Sequence, residues 1–217
     1  MNISRHAKTL LLSAALAAGL SGCVGAVLGG AAVGGNSALD RRTTGAQADD
    51  GVMEVRVKNT ALTYLRQNNQ TEGYEPKLSV VSYNRRILLL GQVPTEADKA
   101  FVEQVARAEQ SATQVYNYIN VAAPTRTFGN ISADTWNTSK VRTALLGIQG
   151  VYPGRVKIVT YDNVTYVMGI LTPAEQAAVT EKVSTTAGVQ KVVTLYENYP
   201  SADSAAATGT SADTATP

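Results

Sequence analysis

A tryptophan and two cations on one predicted helix are the side chains whose types and spacing suggest a binding site. Trp136 is the only tryptophan of the chain, and Lys140 and Arg142 follow it closely. At about 100° per residue, residues 133–148 form a helix whose core stripe contains Val141, Ala144, Leu145 and Ile148. Trp136 and Leu146 lie on the other, polar half. An indole beside cations suits the boundary between an apolar and an aqueous phase, so this half is a candidate membrane contact.

Catalytic chemistry has few candidates in this sequence. His6 and Cys23 are the only histidine and cysteine, and both belong to the N-terminal segment described below. A mature chain without them has no histidine base, thiol nucleophile, disulfide or ordinary zinc ligand. Glu103 and Glu181 remain as candidate catalytic carboxylates, but both lie on amphipathic helices where a solvated face explains them. The sequence therefore predicts a protein that is not an enzyme and holds no metal or cofactor.

The N-terminus has the features of a lipoprotein signal. A start with Arg5 and Lys8 precedes an apolar run of about a dozen residues, too short to span a bilayer as a helix. Residues 20–23 then read LSGC, which resembles the bacterial lipobox, where a peptidase cuts before the cysteine and its sulfur is lipidated. We expect residues 1–22 to be a removed signal peptide and Cys23 to be the lipidation site. The next residue is not the aspartate that retains many such proteins at the inner membrane, so the outer membrane is the expected location.

Two segments of low complexity flank the central part of the chain. Residues 23–51 are rich in Gly and Ala and then polar, which favours a tether behind the lipidated cysteine. Residues 200–217 are small and have nothing to bury, which predicts a disordered tail. Removing the two cations of the signal peptide from the 19 in the chain leaves 17 Lys and Arg against 17 Asp and Glu. This balance argues against a nucleic-acid surface, which needs clustered basic residues.

The central part of the chain contains the same unit twice. At a constant offset of 78 residues several positions match without a gap, including Val81 with Val159, Tyr83 with Tyr161 and Gly91 with Gly169. The preceding helices, VRVKNTALTYL and SKVRTALLGI, match at a different offset, so a loop changed length between the copies. Residues 52–123 and 124–199 are therefore predicted to be two domains produced by duplication.

Each copy predicts the order helix, strand, strand, helix, strand. Residues 84–85 and 162–163 are hairpin turn signals between the first two strands. Gly91 and Gly169, at the ends of the second strands, mark places where the sheet must kink or admit a neighbouring backbone. The predicted fold class is α+β, with each domain a three-stranded mixed sheet packed on one face against two helices.

This pattern resembles the BON domain in the glycines of the second strands, the VKNTAL and VRTALL helices and the closing strands. Two copies behind a lipobox resemble the dual-BON-domain outer-membrane lipoproteins of Gram-negative bacteria. The resemblance implies a lipid-anchored protein that faces the periplasm and supports outer-membrane integrity. It also implies that the first helix of the second domain contacts anionic phospholipid, through Trp136, Lys140, Arg142, Leu145 and Leu146. Leu145 belongs to the core stripe by the helix geometry alone.

Alternatives follow from the same residues. Trp136 and Leu146 can pack against the first domain and hold the two copies together. The same patch can dock a protein, such as outer-membrane assembly or cell-wall remodelling machinery, which makes the chain an interaction scaffold. A hydrolase that uses carboxylates is a third interpretation, disfavoured by the lack of histidine.

Overall fold

The computed structural model describes residues 40–68, 75–122 and 127–200, and these contain the predicted unit twice. The first unit consists of helix α1 (Thr44–Asn68), strands β1 (Lys77–Tyr83) and β2 (Arg86–Val93), helix α2 (Glu96–Arg107) and strand β3 (Gln114–Val121). The second consists of helix α3 (Phe128–Leu145), a short 3-10 helix (Pro153–Arg155), strands β4 (Val156–Tyr161) and β5 (Val164–Leu171), helix α4 (Pro173–Ser184) and strand β6 (Lys191–Asn198). The predicted order of helices and strands is confirmed in both units.

Each unit has a three-stranded mixed sheet with its second strand in the centre. In the first sheet β2 pairs antiparallel with β1 and parallel with β3. In the second sheet β5 pairs in the same way with β4 and β6. An antiparallel pair needs only a hairpin, whereas a parallel pair needs a crossover, which α2 and α4 supply. The predicted α+β fold class is confirmed.

The two β-hairpins turn at residues with left-handed backbone. The φ angles are 52° at Asn84 and 63° at Arg85, and 51° and 62° at Asp162 and Asn163. Two successive central residues with positive φ define the type I′ turn, whose twist matches that of the flanking strands. The hairpin turns predicted from these residues are confirmed.

A buried aspartate on the first helix of each unit holds the neighbouring hairpin. Asp50 of α1 accepts hydrogen bonds from both backbone N–H groups of the first turn, at 2.8 and 2.7 Å, and from the Ser82 hydroxyl at 2.7 Å. Asp134 of α3 accepts from both backbone N–H groups of the second turn, at 2.8 and 3.1 Å. The turn N–H groups thus receive acceptors that the strands do not provide, which ties each hairpin to a helix.

Gly91 of β2 and Gly169 of β5 lie where the neighbouring backbone leaves no room for a side chain. A Cβ at Gly91 would lie 2.7 Å from the carbonyl oxygen of Lys77, and one at Gly169 would lie 2.9 Å from that of Arg155. In both sheets, therefore, the chain at the start of the antiparallel edge strand passes close to the central strand. Any larger residue would have to displace backbone there.

Helices cover one face of each sheet and form a core with it. In the first unit the buried cluster includes Val57, Ala61 and Leu65 of α1, Val102 and Ala106 of α2, and Ile87 and Leu89 of β2. In the second unit it includes Val141 and Leu145 of α3, Val179 and Val183 of α4, and Ile158 and Val167 of the sheet. The prediction of two helices on one face of each sheet is confirmed.

The opposite faces of the two sheets pack against each other. One apolar cluster joins them and contains Val81, Tyr83, Leu88 and Leu90 of the first sheet with Tyr161, Tyr166, Met168, Ile170 and Leu195 of the second. The Tyr83 hydroxyl donates to the carbonyl of Gly154 at 2.9 Å, and the Tyr161 hydroxyl donates to that of Lys77 at 3.5 Å. The result is a four-layer arrangement of helices, sheet, sheet and helices, which the sequence did not predict.

Helix α1 begins at Thr44, ahead of the domain boundary predicted at residue 52. Residues 44–51 form its first two turns, so the prediction that they belong to the tether is wrong. Ala46 and Asp50 are the buried residues of these turns. One is small and the other is charged, so the segment has no apolar periodicity from which a helix could be predicted.

Residues 40–43, called the strap below, bridge the two units ahead of α1. Arg41 pairs with Glu175 of α4 at 2.5 Å. Arg42 pairs with Asp50 of α1 at 2.9 Å. Adjacent residues of the strap are therefore held by opposite halves of the molecule.

The predicted signal peptide, Cys23, the tether up to residue 39 and the tail from residue 201 lie outside the described residues. What the sequence predicts for them stays a prediction. Within the described ranges, none of the helices has the length and apolar character needed to cross a membrane.

Candidate functional site

Helix α3 carries the predicted site and begins with a complete capping box. The Thr127 hydroxyl accepts from the backbone N–H of Asn130 at 3.3 Å, and the Asn130 side chain accepts from the backbone N–H of Thr127 at 2.9 Å. Such reciprocal bonds satisfy N–H groups that a helix start leaves without intrahelical partners. The helix therefore begins at Phe128, ahead of the stretch 133–148 singled out in the sequence.

The inner face of α3 packs on the second sheet. Its buried residues recur every three or four positions and are Asp134, Asn137, Val141 and Leu145. Leu145 is 8% exposed and lies in the same core cluster as Val151 and Ile158. The expected place of Leu145 on the lipid-contacting surface is thus corrected: it is a core residue, as the helix geometry indicated.

The outer face of α3 presents the most exposed large apolar side chains that the structure describes. Phe128 is 83% exposed, Trp136 66% and Leu146, which directly follows the helix, 65%. At about 100° per residue, Phe128 and Leu146 lie at the same angle and Trp136 lies about 80° away, so the three share one side. The alternative prediction that Trp136 and Leu146 pack against the first domain is wrong, because both side chains are mostly exposed.

Two cations accompany these side chains without being neutralised. Lys140 donates to the carbonyl of Ala187 at 2.6 Å, and Arg142 donates to that of Ile158 at 3.0 Å. No carboxylate among the described residues pairs with either, whereas the other eight arginines of those residues all form ion pairs. A cation held only by a carbonyl group keeps its charge available to an anion.

Phe128 escapes prediction from the sequence because the stretch 133–148 leaves out the first turn of α3. The signal that could have found it is the spacing of Thr127 and Asn130, which matches the geometry of a capping box. Placing the helix start there adds Phe128 to the side that carries Leu146. The exposed apolar surface of α3 is therefore larger than predicted, and it extends over roughly 27 Å of helix.

The candidate catalytic carboxylate Glu103 is held by hydrogen bonds from two neighbouring side chains. The Glu103 side chain accepts hydrogen bonds from Arg107 at 2.8 Å and from Asn117 at 2.9 Å. These bonds, that of Asn117 foremost, lower the pKa of Glu103, whereas a general acid at neutral pH needs a raised pKa. Among the described residues, no group of His, Cys, Asp and Glu side chains is placed to hold a metal ion.

Comparison with known families identifies the repeated unit. The BON domain family model matches residues 67–123 and 133–195, one match in each structural unit. The chain belongs to the BON-domain family. The first BON match begins only at the end of α1, although α1 supplies Val57 and Ala61 to the core. The second begins inside α3, so it includes Trp136 but not Phe128.

Two relatives place the chain within the dual-BON-domain outer-membrane lipoproteins. It is 34% identical over 178 residues to the outer membrane lipoprotein DolP of Haemophilus influenzae, an alignment covering 82% of this chain and 89% of that protein. It is 32% identical over 161 residues to the 21 kDa hemolysin of Actinobacillus pleuropneumoniae, covering 74% of this chain and 79% of that one. The predicted family and the predicted outer-membrane location are confirmed.

Among solved structures, this chain aligns with CdsD, a structural protein of the type III secretion system of Chlamydia trachomatis. The alignment covers 72% of this chain and 99% of the CdsD chain, with 13% identity and a TM-score of 0.28. This score is too low to carry an argument about shape or function.

Proposed function

We propose that this BON-domain lipoprotein binds anionic phospholipid through the outer face of α3 and so supports the integrity of the outer membrane, as a binding protein and not an enzyme. One observation carries the proposal: the three most exposed large apolar side chains of the described residues, and two cations without carboxylate partners among those residues, lie on α3 or directly after it. Aromatic rings favour the boundary between head groups and hydrocarbon, and cations favour an anionic surface.

The expected strength of this contact is modest. Complete burial of a large apolar side chain contributes about 1.5–3 kcal/mol, so partial insertion of Phe128, Trp136 and Leu146 contributes about 1 kcal/mol each. Lys140 and Arg142 contribute about 1 kcal/mol each near an anionic leaflet. A total of about 5 kcal/mol corresponds to a dissociation constant of roughly 0.2 mM. An anchored protein is held at high local concentration, so this affinity suffices.

Lipid attached to Cys23 is the anchor in this proposal. Acyl chains contribute about 0.8 kcal/mol per buried methylene, so two or three chains hold a protein stably at a membrane. Sixteen residues lie between Cys23 and Asp40, where the described part of the chain begins. With the anchor in the inner leaflet of the outer membrane, the two BON domains face the periplasm.

Trp136 supplies the measurement that tests the proposal, because it is the only tryptophan. The mature chain with Cys23→Ser, which cannot be lipidated at sulfur, is titrated with vesicles containing phosphatidylglycerol or phosphatidylcholine alone while indole emission is recorded. We expect a blue shift with the anionic vesicles as the ring leaves water. Affinity for zwitterionic vesicles should be lower by about 30-fold at low salt, because two cations contribute about 2 kcal/mol. Added salt should reduce the difference.

A matched pair of substitutions separates the outer face of α3 from general surface hydrophobicity. Leu146→Glu should weaken binding to anionic vesicles by at least about tenfold, because it places a negative charge among the inserting side chains. Val55→Glu is the control, since Val55 is 55% exposed on α1 of the first domain. Equal effects of the two substitutions would contradict the proposal. Absence of any blue shift would do so too, and would favour a scaffold for outer-membrane assembly or cell-wall remodelling proteins.

A further inference from the structure

A groove of about 370 Å³ opens beside the C-terminal end of α3 in the second BON domain. The buried side chains of Leu145, Val151 and Ile158 form its floor. The exposed side chains of Leu146 and Tyr152 form its walls. The groove is therefore an apolar slot that is open to solvent along one side.

The size and rigidity of the groove suit one hydrocarbon chain. Its volume lies at the lower end of the roughly 300–1,000 Å³ found for small-molecule sites, which leaves space for one acyl chain and not two. The Tyr152 ring that forms one wall is itself in contact with Arg155, whose guanidinium lies 4.7 Å from the centre of the ring. Arg155 is fixed in turn by Glu175 at 2.9 Å. A wall fixed before binding costs little entropy when a ligand arrives.

Two cations also line the groove, and they differ in how far they are neutralised. Lys157 pairs with Glu54 of the first domain and donates to the Ser82 carbonyl at 2.9 Å, so its charge is compensated. Arg142 donates to the Ile158 carbonyl and pairs with no carboxylate of the described residues. A guanidinium has five N–H donors, and a phosphate can accept two of them in parallel. The groove thus combines an apolar slot with one cation open to an anionic head group.

We propose that this groove binds a single anionic lysophospholipid, with its acyl chain on the Leu145 floor and its phosphate at Arg142. A lysophospholipid monomer gains about 0.8 kcal/mol for each methylene that it moves from water into the slot. A chain of an intact phospholipid gains nothing comparable, because the bilayer that it leaves is as apolar as the groove. The inference goes beyond the binding of a bilayer surface proposed above, with which it shares Arg142 and Leu146.

The test uses lyso-myristoyl-phosphatidylglycerol below its critical micelle concentration and the mature chain with Cys23→Ser. Calorimetry should give saturation at one ligand per chain, and amide shifts should concentrate at the groove residues, including Val151. Val156→Phe places a ring in the groove from the start of β4 and should weaken binding by at least about tenfold. Arg142→Gln should weaken it by about tenfold through loss of a charge-assisted contact.

Controls distinguish this inference from the vesicle proposal. Lys58→Gln is matched to Arg142→Gln, because Lys58 occupies the aligned position of α1, and it should leave binding unchanged. Trp136→Ala should weaken vesicle binding while lysophospholipid binding persists. Circular dichroism checks that Val156→Phe is folded. If this variant does not fold, the amide shifts of the chain with an unsubstituted groove still show whether the ligand binds there. No saturable shift at the groove, or unchanged lysophospholipid binding by Arg142→Gln, would overturn the inference whatever the vesicles do.

Discussion

The buried carboxylate of Asp50 makes the stability of the first hairpin a quantitative prediction. Substitution by alanine removes the acceptor of three hydrogen bonds, two from turn N–H groups and one from the Ser82 hydroxyl, and removes one partner of Arg42. Ser82 is fully buried, so its hydroxyl is left without a bond at a cost of about 1–2 kcal/mol. The turn is only half-buried, so water can replace part of the hydrogen bonding that its two N–H groups lose. We take the remaining cost as about 1 kcal/mol for each N–H group.

The expected fall in the free energy of unfolding of Asp50→Ala is therefore about 3–4 kcal/mol. Arg42 adds little to this sum, because it keeps its ion pair with Asp40 at 2.8 Å. Urea unfolding followed by circular dichroism measures the difference from the unsubstituted chain. A loss of this size is a large part of the 5–15 kcal/mol that typical domains possess.

The neighbouring residue provides a control of the same chemistry. Asp49 pairs with Arg85 at 2.9 Å, but its side chain is 34% exposed. Asp49→Ala should change the free energy of unfolding by less than about 1 kcal/mol, as exposed ion pairs usually do. If Asp50→Ala cost no more than Asp49→Ala, the hairpin would not depend on the buried carboxylate, and the reasoning would be refuted.

Three further predictions each concern the surroundings of one residue. Gly91→Ala should lower the free energy of unfolding by about 1–3 kcal/mol in urea, because its Cβ meets the Lys77 carbonyl oxygen at 2.7 Å. Burial raises the pKa of Tyr166 from 10.0 to about 12, so the buried neutral phenol stabilises the fold below pH 10. This stabilisation should be lost as the pH rises from 10 to about 12. Tyrosinate absorbance measures the ionisation, and circular dichroism measures the loss of folded structure. Glu175→Gln should speed tryptic cleavage after Arg41 several-fold, because the strap then loses its ion pair.

Each perturbation has its own control and contrary outcome. Gly51→Ala, in α1 with nothing within 4 Å of its Cβ, should be neutral or stabilising, and equal losses at the two glycines would contradict the close-approach argument. Tyr166→Phe should reduce the alkaline loss, and an unchanged alkaline transition would show that other groups cause it. Glu181→Gln, also on α4, should leave cleavage at the strap unchanged, whereas equal acceleration would implicate the helix and not the ion pair.

Acid should loosen the strap in the same assay. Burial by itself would raise the pKa of Glu175, but the hydrogen bond from Arg41 and further contacts lower it overall from 4.5. A carboxyl with a lowered pKa in the folded state stabilises the fold above its unfolded pKa and loses that contribution as pH falls through the folded value. Cleavage by an acid-active protease within residues 40–43 should therefore accelerate as the pH falls below 4.5, the ordinary value from which the pKa of Glu175 is lowered.

The features that the sequence predicts correctly here are governed by local residues. The turns at 84–85 and 162–163 follow from side chains that tolerate positive φ, and the polar side of α3 follows from its periodicity. The start of α1 has no such signal, because its buried positions hold a small and a charged residue. Its cause is tertiary, since Asp50 is fixed by a hairpin more than thirty residues away.

The packing of one sheet on the other also lies beyond local signals. A strand buried on both faces reads as a continuous apolar run, and Ile87, Leu88, Leu89 and Leu90 form one in β2. That run indicates that both faces of the first sheet are covered, but it does not indicate whether helices or a second sheet cover each face. The second face of the first sheet packs against the second sheet because the tyrosines and aliphatic residues of that sheet fit it. This fit depends on residues far apart in the chain. The groove beside α3 was missed for the same reason, because its lining comes from two separate parts of the chain.

The strap also determines how mechanical load would enter the molecule. Within the described residues, a pull on the N-terminal segment meets the contacts of Arg41 first, where the guanidinium is held by Glu175, by the Ile170 carbonyl at 2.8 Å and by the ring of Tyr199 at 3.8 Å. Tension is thus transferred to the second BON domain before it reaches α1, although the first domain comes first in the chain. The domain that carries the candidate lipid surface is therefore loaded first by any force along the N-terminal segment, and the first domain is stretched only after the contacts of Arg41 have broken.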